Sequence, residues 1–367
     1  MNFDFSDDQR RLQDEIRKVL SEHSTSEAVR VVLEGNAAYD QNTWQQLAQL
    51  GALGLAIPEE QDGTGLGALE LCLLAEECGR ALVAAPMLST VYQAAEVIKR
   101  AGTEWQQQEY LPAIATGTCI VTCQLERPVE FAAEPTSLSF ASEDCSTITG
   151  VVEALPDATV ASHAILRVED FFILVDLSQV SVTRSLQKSI DGTRPLGKLS
   201  FQSASCELLA GNANHEAIAQ RVINGAAVLL AFEQVGGAEA ALYAARDYTL
   251  ERKTFGRAVG SYQAVKHTLA DLFSAIEIAR AHAWYGAWAM STDADELTRA
   301  AAAARVAASE AYNRVAEESL HLHGGIGFTW EMDCHLHLRR ARWLAQILGS
   351  RQLWRNKLAT ALIEEAA

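Results

Sequence analysis

The chain reads as an α+β protein in three parts: an N-terminal helical domain (1–116), a middle antiparallel β domain (117–206) and a C-terminal four-helix bundle (207–367). Two observations predict this. Apolar residues recur at helical spacing towards both ends. Between them lie short β-favouring runs separated by Pro, Gly, Asp and Ser. At 367 residues the chain is long enough for two or three domains with cores of their own.

In order, Ser6-Asp7-Asp8-Gln9 is a capping pattern ahead of Leu12, Ile16, Val19 and Leu20, which start a helix. Trp44, Leu47, Leu50 and Leu53 predict another, broken by Gly51 and Gly54. Residues 58–67 form a turn-rich loop. Its Gly63, Gly65 and Gly67 are no dinucleotide fingerprint, because helix and not strand precedes them. Apolar helices follow over 68–82 and 90–101. The β-favouring runs are 119–122, 138–141, 147–152, 159–168, 171–175, 180–184 and 196–202, which predict a small barrel or sandwich. Four long helical segments close the chain: 217–251, 262–290, 295–321 and one from 334 onward. The alanines at 300–304 allow close helix packing, and long antiparallel helices of this kind form a bundle.

The net charge of −17 makes nucleic acid or an anionic membrane unsuitable as a partner, and an anionic ligand would need a local basic patch. No run reaches the ~18 apolar residues that span a bilayer. The charged start lacks the apolar core of a signal peptide. A cytoplasmic location is therefore expected. Seven scattered cysteines, an odd number, argue against a disulfide framework. Cys119 and Cys123 have no second pair at zinc-site spacing. His321, His323, Cys334, His335 and His337 are spaced mostly by two, which does not line one helical face. No metal site is expected. Cys72 and Cys78 fall on an apolar helix and read as core.

Two stretches carry chemistry. Residues 250–263 read Leu-Glu-Arg-Lys-Thr-Phe-Gly-Arg-Ala-Val-Gly-Ser-Tyr-Gln, between two long helical patterns. Residues 321–331 read His-Leu-His-Gly-Gly-Ile-Gly-Phe-Thr-Trp-Glu. The run from Arg252 to Gly256, Gln263 eight residues after Phe255, and the later Gly324-Gly325-Ile326-Gly327-Phe328 resemble the signatures of the acyl-CoA dehydrogenase family. The resemblance extends over nearly the whole chain, and it implies the same order of helical, sheet and helical parts.

The resemblance implies FAD at a dimer interface. One subunit's sheet domain holds the flavin ring, and the neighbour's bundle holds the pyrophosphate and adenosine end. On that pattern Arg252 pairs with the pyrophosphate, since a guanidinium matches phosphate oxygens in a bidentate way. Thr254 and Gln263 hydrogen-bond to the cofactor, and Phe255 packs beside the adenine. Gly324 and Gly325 let the backbone approach closely. His321 stands where the family usually has Gln.

The family's carboxylate base, which must reach the substrate α-proton, has no counterpart. In the commoner place, after the Gly-Gly-x-Gly-Phe motif, this chain reads Gln346-Ile347-Leu348-Gly349-Ser350, putting Leu348 or Gly349 at the base position. The alternative place, on the first bundle helix, holds Ala226, and the adjoining substrate-Arg position holds Ala227. Glu233 lies two turns further, about 10 Å along the axis. The family's Thr-Glu-Pro-x-Ala-Gly-Ser-Asp flavin loop is replaced by residues 122–131, Thr-Cys-Gln-Leu-Glu-Arg-Pro-Val-Glu-Phe. The region after Gly150 lacks the flavin-side Trp.

The half of an FAD site lent to a neighbour is thus retained, while the self-side half and the base are missing. The leading expectation is a non-catalytic subunit, with no catalytic residue of its own, in a heteromeric α2β2 acyl-CoA dehydrogenase. A related partner would bind most of the acyl-CoA. The run from Trp330 to Ala341 is similar to bacterial members acting on CoA thioesters of steroid side chains. One alternative is a homo-oligomeric dehydrogenase with a relocated base, Glu233 or Glu331. Another is a scaffold that no longer handles FAD.

Overall fold

The computed structural model describes residues 6–126, 137–212 and 214–366. Its first six helices are α1 (Asp7–His23), α2 (Ser26–Leu33), α3 (Gln41–Gln49), α4 (Ala68–Arg80), α5 (Ala95–Ala101) and α6 (Glu104–Ala115). Strands β1 (Val121–Gln124), β2 (Ser137–Phe140), β3 (Thr147–Pro156), β4 (His163–Val168), β5 (Phe171–Asp176), β6 (Val182–Gln187), β7 (Leu196–Ser205) and β8 (Glu207–Leu208) follow. The remainder is α7 (His215–Glu251), β9 (Lys253–Thr254), β10 (Arg257–Ala258), α8 (Gln263–Ser291), α9 (Leu297–Leu322), α10 (Cys334–Leu344) and α11 (Arg351–Ala366).

Local chemistry sets these boundaries. Ser6 accepts from the Gln9 amide, and the Gln9 side chain accepts from the Ser6 amide, a complete capping box at the start of α1. The helix around Trp44 and Leu47 stops at Gln49, and the break expected at Gly51 is there: Gly51 turns left-handed at φ +75° and leads into a 3₁₀ turn. The helix expected over 90–101 begins earlier, as a π-helical stretch Met87–Ala94 feeding α5. The segment from 334 onward is two helices, not one. Leu348 (φ +61°) and Gly349 (φ +94°) are both left-handed, and consecutive residues of that kind cannot continue an α-helix.

All seven expected β runs overlap strands. They form two four-stranded sheets, ordered β1-β4-β5-β8 and β2-β3-β7-β6. Every pair in these sheets is antiparallel except β1–β4, which is parallel from Val121↔His163 to Gln124↔Leu166. Strand β1 leads out of α6 rather than returning from a hairpin, so no tight turn dictates an antiparallel partner. Strand β4 is almost entirely buried and β5 is buried except at its two end residues, whereas the edge strand β6 is mostly exposed.

The chain forms two compact units. The first comprises Met1–Glu27, Ala68–Val83 and Ala227–Ala367, and the second Ala28–Gly67 and Ala84–Ala226. Helix α7 contributes residues to both. Among the described residues it is long and apolar enough to cross a membrane by length and composition. However, 83% of that stretch is buried, the pattern of a core helix.

In the first unit α4 and α7 meet backbone to backbone. A Cβ on Gly79 would stand 1.8 Å from the Glu233 carbonyl oxygen, and one on Gly236 would stand 1.9 Å from that of Glu76. Gly79→Ala or Gly236→Ala therefore has to push two helices apart. A loss of about 1–3 kcal/mol is expected for either, read as a lowered denaturant midpoint. Beside this crossing, the buried carboxylates of Glu76 and Glu77 are paired. Arg280 bonds Glu76, while Arg17 and Arg80 bond Glu77.

The same unit holds an acid-sensitive histidine. His337 Nδ1 lies 2.9 Å from the Tyr312 hydroxyl, and burial pushes the imidazole down to about 4. Below the ordinary histidine value near 6.5 the unfolded chain takes up a proton that the folded chain refuses until about 4. Stability should be insensitive to this group above that value and fall by up to about 3 kcal/mol across the window. His337→Gln should lose less over the same range in pH-dependent denaturation.

Candidate functional site

The site grows from the C-terminal end of α7. Its last turn delivers Arg252, whose amide donates to the Tyr248 carbonyl at 2.9 Å. The chain then forms a minimal hairpin. β9 and β10 pair as Arg257↔Thr254 and Ala258↔Lys253, with Phe255 and Gly256 as the two turn residues. Both are left-handed, at φ +50° and +79°, the geometry of a type I′ turn. The Val259 amide closes the loop by donating to the Arg252 carbonyl at 2.8 Å.

Tyr262 fastens this hairpin to the start of α8. Its hydroxyl donates to the Thr254 carbonyl at 3.2 Å, and the Arg257 guanidinium lies 3.7 Å above its ring. Gln263, the first residue of α8, is exposed. Arg252, Lys253, Thr254, Phe255 and Arg257 are all exposed, a cationic patch on an otherwise acidic chain. The Arg252 guanidinium has no partner among the described residues.

Phe255 is 95% exposed. A bulky aromatic held left-handed and fully in water is costly twice over. Phe255→Asn would give the preferred Asn-Gly turn. We expect it to stabilise the chain by about 0.5–1 kcal/mol while weakening whatever the ring packs against. Opposite signs in thermal melts and in binding titrations are the check.

The second stretch follows α9. Gly324–Phe328 is a 3₁₀ turn in which Gly324 is left-handed at φ +64°. Gly327 is a packing glycine, since a Cβ there would meet the Leu320 carbonyl oxygen at 2.5 Å. Gly325 is different. Its φ is ordinary and a Cβ would meet nothing within 4 Å, so the chain's own packing does not require glycine there. Bareness at Gly325 suits a group approaching from outside. His321 is exposed, with its ring centroid 6.2 Å from that of Phe328.

The two stretches are joined. The Tyr248 ring stacks on His323 with centroids 4.6 Å apart. His323 is buried, and its Nδ1 donates to the Ser319 carbonyl at 2.7 Å. The sequence reading named neither Tyr248 nor His323 as a site residue, although Tyr248 stands one helical turn before Arg252. The remaining histidines have other settings. His335 stacks on Trp330 and His337 bonds Tyr312.

A family model described as the acyl-CoA dehydrogenase N-terminal domain matches residues 6–118, and one described as the acyl-CoA dehydrogenase C-terminal domain matches 217–363. The chain belongs to the acyl-CoA dehydrogenase family. Acyl-CoA dehydrogenase IpdE2 of Mycobacterium tuberculosis is 31% identical over 349 residues, 94% of each chain. Acyl-CoA dehydrogenase FadE34 of the same organism is 30% identical over 90% of this chain and 43% of its own. Among solved structures, the steroid ACAD Tcur3481-Tcur3483 superposes at a TM-score of 0.88 with 28% identity, covering 98% of each chain. The ChsE4-ChsE5 complex of Mycobacterium tuberculosis gives 0.89 at 24% identity, covering 99% of each chain, a likeness of fold.

Acyl-CoA dehydrogenases are FAD-dependent flavoproteins. The two stretches fit that cofactor: the first with an exposed guanidinium for phosphate oxygens and an exposed aromatic, the second with a bare Gly325.

The positions at which the resemblance leads one to look for a base are Ala226, Ala227, Leu348 and Gly349. Ala226 and Ala227 are fully buried. Leu348 and Gly349 form the left-handed break before α11. That break is pinned: Trp354 Nε1 donates to the Leu348 carbonyl at 2.8 Å, and the buried Arg305 donates to the carbonyls of Ile347, at 2.8 Å, and Leu344. Glu233 is 0% exposed and its Oε1 accepts from Arg340 at 3.2 Å, so its carboxylate is enclosed in a buried ion pair. Glu331 is exposed. Of the replaced flavin loop, residues 127–131 lie outside the described residues. The described polar groups beside it are used internally. Thr122 donates to the Pro156 carbonyl at 2.7 Å, and Ser89 to Asp157 at 2.6 Å.

Proposed function

We propose that this chain is the non-catalytic subunit of a heteromeric FAD-dependent acyl-CoA dehydrogenase and completes the FAD site of a related partner. The observation that carries this reading is an asymmetry. The hairpin bearing Arg252, Thr254 and Phe255 is held ready and exposed, while Ala226, Leu348 and Gly349 stand where a base is needed. A subunit that kept the first and lost the second supplies binding and not proton transfer.

In this role Arg252, Thr254 and Gln263 bind the cofactor's polar end, Phe255 covers its adenine, and Gly324 and Gly325 admit it to the backbone, with His321 alongside. The partner provides the carboxylate that takes the α-proton and binds most of the acyl-CoA. The likeness to the steroid ACAD Tcur3481-Tcur3483, 28% identical, supports a steroid-type CoA thioester as substrate and a partner of a second kind, in an assembly we take to be α2β2. We place the complex in the cytoplasm.

Dye reduction with a steroid side-chain acyl-CoA tests the reading. No turnover by the chain alone, and turnover when it is co-purified with a relative carrying the Glu, supports it. Turnover by the chain alone refutes it.

A further inference from the structure

We propose that Tyr248 and His323 are positioning residues, a splint that holds the Arg252 hairpin and the Gly324-Gly325 turn in one geometry. The inference rests on the cofactor reading above.

The hairpin and the glycine turn are distant in sequence and must converge on one ligand. The hairpin is small, with two residues per strand, and could not hold its place alone. It is anchored to the end of α7, through the Arg252 amide on the Tyr248 carbonyl, as well as to the start of α8 through Tyr262. The glycine turn is anchored by the end of α9, through His323 next to Gly324. Between these anchors the contact is the stack of Tyr248 on His323, 4.6 Å between centroids and 27° between planes.

The stack is itself fixed. His323 Nδ1 donates to Ser319 one turn back, so the ring's tautomer and tilt are set. Ser319 donates its hydroxyl to the Ala241 carbonyl at 3.0 Å, which ties α9 to α7 just below the stack. Gly327 folds back on the other side, within 2.9 Å of His323 Cβ if it carried a Cβ. The stack and the Nδ1 bond hold the rings, and the backbone and hydroxyl bonds hold the segments that carry them. A positioning pair of this kind gives binding through geometry and leaves the ligand-facing groups chemically unchanged.

The test is FAD affinity of the co-purified heteromer, measured by flavin fluorescence, for Tyr248→Leu, His323→Leu, the double variant, His323→Phe and Arg252→Ala. Each Leu variant should bind FAD roughly five- to tenfold more weakly. The double variant should be no worse than either single one, because one stack is lost in all three. His323→Phe, which keeps the stack, should restore most of the affinity, an outcome that a general loss of folding would not give. If Arg252→Ala weakens FAD but both Leu variants bind normally, or the two effects simply add, the splint is overturned and the cofactor reading stands. If Arg252→Ala itself binds FAD normally, the cofactor reading fails first.

Discussion

Arg252→Ala in the assembled complex is expected to strip it of flavin. Charge-assisted hydrogen bonds contribute about 1.5–3 kcal/mol each, and a guanidinium can make two in parallel to a diphosphate. With some solvent screening, a net loss of about 3 kcal/mol corresponds to roughly a hundredfold weaker binding. Enough cofactor would then dissociate during gel filtration for the ratio of visible to ultraviolet absorbance to collapse. Arg252→Lys should recover only part of the affinity, because an ammonium keeps the charge and loses the fork. Neither change should alter the stability of the isolated chain by more than about 0.5 kcal/mol, since Arg252 is exposed and its side chain makes no hydrogen bond or ion pair among the described residues. A wild-type flavin content in Arg252→Ala would show that the hairpin is a relic.

The second large effect lies in the core. Glu233→Ala would leave the Arg340 guanidinium buried beside the Leu82 and Val83 carbonyls without its carboxylate. Breaking one side of a fully buried pair costs about 3–5 kcal/mol. Arg340→Met should cost a similar amount, and the double change Glu233→Leu with Arg340→Met should recover much of it, because neither member of the pair is left facing an empty place. Urea denaturation of the wild type and these three variants reads the comparison. The result also decides the alternative in which Glu233 acts as a relocated base. A structural Glu233 makes activity of the complex follow folding. A catalytic one would let Glu233→Gln fold normally and lose turnover.

Much of this was legible in the sequence, and the exceptions have physical causes. The capping box at Ser6 and the seven β-favouring runs are local signals, set by residues within a few positions. The parallel β1–β4 pairing is non-local and leaves no mark on either strand. The last helix reads as continuous because Leu348 is a good helix former, and only its left-handed conformation breaks it. The Phe255-Gly256 turn escaped for a related reason: a type I′ turn normally announces itself with Asn or Asp before the glycine. At the site, the motif residues were readable from the resemblance, and the structure places the hairpin next to the glycine turn. What joins them was not readable, because a stack between Tyr248 and His323 depends on where two long helices end. Nor did the sequence show that Glu233 is enclosed. A carboxylate two turns from the usual base position is a plausible acid or base until its partner Arg340 is seen.

The most direct measurement is flavin per chain by visible absorbance, on this protein purified alone and co-expressed with a related chain that carries the catalytic Glu. The account predicts none in the chain alone and one flavin for each pair of unlike chains in a stable complex. Close to one flavin per chain in the protein alone would contradict it. The sheet domain would then be holding a flavin ring by groups other than those the family uses.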